Sequence, residues 1–160
     1  MKMMKANELM IGAFVYFNCF DGSKIVVRVT GFKDGIVYGD SKKGSHWCNI
    51  EKVEPIPLTP EVLERMGFTI EEVTKYDDTY TEDEYTATIK CVDSRKCEVE
   101  IEYNTYWKKL MGFNYDPHNR LGFTSIETKV EYLHELQYIF RVLKVYKDLE
   151  VLGMSFNETR

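Results

Sequence analysis

His46 and Cys48 stand two residues apart in a stretch that reads as a strand, so their side chains share a face. They are the one local Cys/His pair, but that spacing is not an activating geometry, because a nucleophilic thiol needs its base within hydrogen-bond reach. Asp116 and His118 have the types of an orienting pair, yet Asp-Pro-His is also an ordinary turn. Glu131 and Glu135 sit one helical turn apart and could share a cation. His134 falls on the polar side of that helix beside Gln137 and Tyr138, with no second ligand. None of these sets has the ligand types and spacing of a zinc site. The expectation is a protein without catalytic residues, metal or cofactor.

Gly31, Gly35, Gly39 and Gly44 are spread over hairpin turns and precede no helix, so they are not a phosphate cradle. Their expected role is positive φ. A different constellation suits contact rather than chemistry. Arg28, Lys42, Lys43, Tyr38 and Trp47 form a candidate interaction surface in which cations and aromatics interleave. With Lys33, Tyr16 and Phe17 the same set supports an alternative, nucleic-acid binding. Against that alternative, the aromatics also suit a barrel interior.

Composition and charge narrow the classes. The 160 residues are 44% hydrophobic, 29% charged and 14% aromatic, in the ordinary globular range, with Tyr the commonest aromatic. The net charge of −5 is uneven: residues 1–50 carry seven Lys/Arg against four Asp/Glu, while residues 71–84 carry seven acids and one Lys. Neither stretch has the basic excess of a dedicated nucleic-acid domain. The four cysteines, Cys19, Cys48, Cys91 and Cys97, form no CxxC pair, although Cys91 and Cys97 could meet across a hairpin. With no apolar leader and no membrane-length run, the expectation is a cytoplasmic protein with reduced thiols and no membrane partner.

The elements that position these residues follow from periodicity and turn chemistry. Strands are predicted at Ala13 to Cys19, Lys24 to Phe32, Ile36 to Tyr38 and His46 to Ile50, with Asp21-Gly22 and Asp34-Gly35 as tight turns. Residues 50–54 extend the last strand or add a short one. The spacing predicts a small SH3-like β-barrel over residues 5–56. Pro55-Ile56-Pro57 ends it. Residues 57–68 make a connecting helix, with Thr59 as N-cap, Pro60 at the first helical position and Phe68 packing back on Leu63 beyond Gly67.

Residues 69–160 are predicted as an antiparallel sheet packed by a long C-terminal helix, giving an α+β protein. The run 69–84 reads as an acidic loop. Tyr85 to Cys91 and Glu98 to Tyr103 read as a hairpin, with Val99, Ile101 and Tyr103 on its apolar side. Leu121 to Glu127 fits a further strand. A helix over 129–147 is predicted from Thr128 and Glu131 as a capping box, and from Tyr132, Leu133, Leu136, Ile139, Phe140, Leu143 and Tyr146 within an arc of roughly 140°. Leu63, Met66 and Phe68 are expected to join the two parts.

Three segments carry a resemblance: Met4-Lys-Ala-Asn-Glu-Leu-Met-Ile-Gly12, Ile56-Pro-Leu-Thr-Pro-Glu-Val-Leu-Glu-Arg-Met-Gly-Phe68 and Tyr132-Leu-His-Glu-Leu-Gln137. In that order they resemble a family common in gut Bacteroidetes, their prophages and other mobile elements, whose members read like LRIGN, PIPLTEEWLLKFGF and YVHQLQNLYFALTGEEL. The chain departs from the pattern at Ala13, at Lys144-Val145 and in an apparent insertion from Tyr106 to Asn119. The family has no established activity. The resemblance therefore implies a fold arrangement and a genomic setting, and it assigns no catalytic residue, although His134 recurs in the pattern. The functional expectation is a non-catalytic protein-interaction module with a protein or peptide partner. Nucleic-acid binding through the first part, and an enzyme with a site at the junction, are the alternatives.

Overall fold

A computed structural model describes residues 3–65, 68–75, 85–92, 98–104, 108–115, 124–142, 149–151 and 154–156. The protein is α+β, and the chain divides into two compact units: Met1–Pro57 with Tyr132–Tyr138, and Leu58–Glu131 with Ile139–Arg160. Among the described residues, no helix is long and apolar enough to cross a membrane.

The first unit is built on β1 (Phe14–Asn18), β2 (Lys24–Lys33), β3 (Ile36–Ser41), β4 (Gly44–Asn49) and β5 (Val53–Pro55). They form one antiparallel sheet in the order β4-β3-β2-β1-β5. The turn between β2 and β3 is Asp34-Gly35, with φ of 52° and 76°, the left-handed pair that suits the right-handed twist of a hairpin. A register shift between Val29 and Gly31 bends β2. The face carrying Ala13, Val15, Phe17, Val27, Val29, Val37 and Val53 closes over one core, with Met4 and Leu9 added from the N-terminal segment.

The closure of the sheet differs from the sequence expectation. No ladder joins β4 to β5 among the described residues, so the sheet is open by its hydrogen bonds; the short β5 spends its pairing on β1. Residues 50–54 take the second of the two expected forms, a short last strand, β5, reached through a 3-10 turn at Ile50–Lys52. Gly39 also departs from the expected turn role. A Cβ there would lie 2.9 Å from the Arg28 carbonyl oxygen, so glycine is needed for close approach to β2.

The second unit begins with α1 (Pro60–Arg65). Thr59 Oγ1 accepts the Val62 N–H at 3.3 Å, and the Phe68 N–H bonds the Leu63 carbonyl at 3.0 Å, the six-to-one bond of a Schellman ending. Then come β6 (Thr69–Lys75), β7 (Tyr85–Val92), β8 (Glu98–Asn104), β9 (Lys109–Tyr115) and β10 (Thr124–Lys129), an antiparallel sheet in the order β10-β9-β8-β7-β6. The alternation of β8 holds: Val99, Ile101 and Tyr103 are buried while Glu100 and Glu102 are only half-buried. β6 and β9 occupy stretches expected as loop or insertion. A hairpin of β11 (Leu149–Val151) and β12 (Met154–Phe156) was not foreseen. Residues 76–84, including most of the acidic run, lie outside the described residues.

Helix α2 spans Leu133–Val142. Its start overturns the expected cap. Thr128 is a strand residue paired with Leu110, and the helix is instead closed by Glu135, whose carboxylate accepts the Tyr132 N–H at 3.1 Å. Leu133, Leu136 and Phe140 are buried as the stripe requires, and Phe140 packs against Phe68 with ring centroids 5.8 Å apart. The expected extension to 147 falls outside the described residues. The polar side is only partly solvated: Tyr138 is exposed, but His134 and Gln137 are 5% and 3% exposed. Tyr132–Tyr138 belongs to the first unit, so a helix expected to lie wholly on the second sheet has its first half elsewhere.

Candidate functional site

A cleft of about 400 Å³ opens in the first unit beside β4. Its placement follows from a strand rule. Successive residues of a strand point to opposite faces, so a cleft over one face is lined by alternate residues. Here Ser45, His46, Trp47, Cys48 and Asn49 all line it. The cleft therefore lies off the edge of β4 rather than over either face. Phe17 and Ile25 belong to the core side of β1 and β2, while Phe20 and Lys52 come from the turns after β1 and before β5.

The edge itself is polar and patterned. Ile50 N–H bonds the Gly35 carbonyl at 2.9 Å, which makes Ile36 and Asn49 a non-hydrogen-bonded pair. By alternation Tyr38 with Trp47 and Asp40 with Ser45 are the same kind. Ser45, Trp47 and Asn49 thus turn their backbone N–H and C=O groups away from β3. No ladder takes up that side of β4 among the described residues.

Large apolar groups surround this edge. Trp47 is 65% exposed and Phe20 is 99% exposed. The Lys52 ammonium stands 4.5 Å from the Phe20 ring centroid, an attraction that fixes both on one wall. Lys52 is the one charged side chain of the lining. The adjoining turn between β3 and β4 adds Lys42 and Lys43, both exposed, and Ser41 Oγ holds that turn by accepting the Lys43 N–H at 3.1 Å.

The cleft lining includes two residues of reactive type weighed in the sequence, Cys48 and His46. Burial pushes the Cys48 thiol up to about 11, with neighbouring Cys19 adding to the shift and Lys52 opposing it. At neutral pH Cys48 is therefore a neutral thiol. His46 Nε2 lies 2.7 Å from Ser41 Oγ. His46 and Cys48 share a face as expected, but among the described residues no three of His, Cys, Asp and Glu converge to hold a metal. Glu131 pairs with Lys129 at 3.0 Å, and Glu135 accepts the Tyr132 N–H at the start of α2 at 3.1 Å. Asp116 and His118 lie outside the described residues.

The candidate surface residues divide. Trp47 lines the cleft, Tyr38 is its partner across the β3–β4 ladder, and Lys42 and Lys43 lie in the turn that joins β3 to β4. Arg28 is one strand further in, opposite Asp40. Phe20 and Lys52 were missed. The only sequence sign for Phe20 was a large aromatic directly before the Asp21-Gly22 turn, where nothing buries it.

Below β1 a second polar cluster has a structural role. Glu54 is 5% exposed and accepts from Lys24 Nζ and from Asn18 Nδ2, the latter at 2.8 Å. The Lys24 bond, with help from Asn18, holds the Glu54 carboxyl below the usual carboxylate range against its own burial.

No protein-family model matches the chain, and no curated protein or solved structure matches it.

Proposed function

We propose that the protein is a non-catalytic interaction module whose first unit binds a peptide or protein segment at the cleft beside β4. The observation that carries this reading is the exposed Trp47 and Phe20 at an open strand edge. A solvated aromatic pair around a concavity is costly to leave bare and suits a partner's side chain. The strand order β5-β1-β2-β3-β4, with a bent β2 and a 3-10 turn before β5, supports an SH3-like roll, a scaffold suited to presenting such grooves. The resemblance to prophage and mobile-element proteins supports an accessory role in that setting, in the cytoplasm. The neutral Cys48 thiol counts against nucleophilic catalysis at this cleft.

The test is selection of a displayed random peptide library on the full-length protein, followed by NMR of the Trp47 indole with an enriched peptide. Enrichment that disappears with Trp47→Ala supports the reading. Failure to enrich any sequence over an unrelated control protein, or enrichment indifferent to Trp47→Ala, overturns it.

One observation favours nucleic acid as the second reading: Tyr38 and Trp47 pair directly across the ladder, both exposed, beside Lys42 and Lys43. That reading requires retention on oligo-dT that falls with salt and with Lys42→Glu, Lys43→Glu.

A further inference from the structure

Three features of the cleft bear on what kind of segment it takes. The outward groups of Ser45, Trp47 and Asn49 repeat at every second residue, the spacing that an added strand satisfies with main-chain bonds. Bare edges of this kind are usually blunted by a bulge, a proline or a cover. β4 has none of these within Gly44–Asn49, and its ladder with β3 runs without a register shift. The concavity next to the edge is apolar at its floor, through Phe17 and Ile25, and its rim holds Phe20 and Trp47. The lining holds one formal charge, Lys52, and no carboxylate, and the adjoining turn adds Lys42 and Lys43, while Asp21 and Glu51 are exposed next to Phe20 and Lys52 in the chain. Asp40, the nearest acid on the neighbouring strand, accepts from Ser45 Oγ at 2.8 Å.

We propose that β4 takes up an extended acidic peptide as an additional strand, with an aromatic side chain of that peptide entering the cleft between Phe20 and Trp47 and its carboxylates facing Lys52, Lys42 and Lys43. The proposal rests on the interaction reading above and deepens it, naming both the mode of binding and the chemistry of the partner. Main-chain bonds to Ser45, Trp47 and Asn49 supply the affinity common to any strand. The aromatic anchor and the lysines supply selectivity, with Lys52 standing beside the anchor's site on the wall it shares with Phe20. A basic peptide of the same shape is repelled by the three lysines.

The experiment titrates the isotope-labelled full-length protein with a synthetic peptide in which Glu and Phe alternate. Three comparison probes are used: the same peptide with Lys for Glu, the same peptide with alternate backbone amides N-methylated, and oligo-dT. The expected result is that the Glu/Phe peptide shifts the amide signals of Ser45, Trp47 and Asn49 and slows their hydrogen exchange. N-methylation, which deletes the main-chain donors, weakens binding about tenfold or more. The Lys peptide binds more weakly, and Lys52→Glu reverses the preference between the two peptides while the far-ultraviolet spectrum is unchanged.

Equal binding of the N-methylated peptide overturns strand addition and leaves the interaction reading standing. Equal binding of the Lys peptide overturns the acidic partner. Tighter binding of oligo-dT at the same amides makes nucleic acid the occupant and overturns the proposal. Protection of the β4 amides by raising the protein concentration alone makes a second copy the occupant, with the same consequence. If the display selection succeeds on Trp47 but the Glu/Phe peptide does not bind, the inference fails and the broader reading survives.

Discussion

The side chain of Gln137 reads the backbone on both sides of Ala13. Its Oε1 accepts the Phe14 N–H at 2.8 Å and its Nε2 donates to the Gly12 carbonyl at 3.0 Å. Both bonds are buried, and Gln137 lies 123 residues from Phe14 and 125 from Gly12 in the chain. An amide matches a peptide group donor for acceptor, so α2 enters the hydrogen-bond register at the start of β1. The Leu133 N–H adds a bond of 2.9 Å to the Ile56 carbonyl just beyond β5.

Gln137→Ala removes both bonds from a buried site, and the expected loss of stability is about 2–3 kcal/mol. Gln137→Glu keeps the acceptor for Phe14 but sets a carboxylate oxygen against the Gly12 carbonyl. Its urea midpoint is expected to rise as pH falls and the buried acid takes up a proton, with which it can donate. A midpoint that does not move with pH in Gln137→Glu would refute this account of the contact.

Glu54 gives a pH dependence of the opposite sign. Its folded carboxyl is held below the ordinary value of 4.5, chiefly by Lys24. The unfolded chain therefore binds the proton first, and the stabilisation is present above 4.5 and fades as pH falls through the folded value. Glu54→Gln is expected to flatten the acid limb of a stability-versus-pH curve measured by urea melts. An unchanged acid limb would mean that other carboxyl groups set it.

Gly39→Ala tests the close approach of β3 to β2. A methyl group 2.9 Å from the Arg28 carbonyl oxygen and 3.2 Å from Val27 Cβ forces the backbone apart. The expected cost is about 1–3 kcal/mol. Gly31→Ala, where the added carbon meets nothing within 4 Å, is the control and is expected to leave the melting curve nearly unchanged.

Thiol chemistry tests the environment of Cys48. A thiol that ionises near 11 offers little thiolate at neutral pH. Peptide mapping after brief iodoacetamide treatment of the folded protein is expected to find Cys48 largely unmodified. Treatment in urea is expected to modify it fully. Rapid labelling of Cys48 in the folded state would reopen a nucleophilic role for it.

Trp47→Ala distinguishes a contact residue from a core residue. At 65% exposure the indole contributes little to the fold, and the expected stability change is within about 0.5 kcal/mol. Loss of peptide binding without loss of melting temperature is the pattern expected of a recognition residue.

The parts that were legible in the sequence are those governed by local rules. Asp34-Gly35 announced its hairpin because few other dipeptides tolerate two left-handed residues. Pro60 with Thr59 announced α1, and the Val99, Ile101 and Tyr103 alternation announced β8. β6 was hidden because Glu71 and Glu72 broke any apolar alternation, and a strand can be held by its ladder to β7 regardless. β9 was hidden by Gly112 and Asn114, both poor strand formers. The burial of Gln137 was beyond local reasoning, since its partners lie at the other end of the chain. At the cleft, Tyr38 and Trp47 were legible as aromatics interleaved with lysines, but not as a cross-strand pair. Phe20 and Lys52 were not, because turn residues carry no periodicity to say which way they face.

Because Tyr132–Tyr138 is a piece of the first unit, that unit is discontinuous in the chain. A ribosome that has made all five of its strands has still not made the glutamine that caps them. Until then the Phe14 amide and the Gly12 carbonyl must be served by solvent or by a chaperone. Excision at Pro57 would leave a fragment with the cleft but without its fastening, because the strands that form the cleft are made long before the glutamine that ties them.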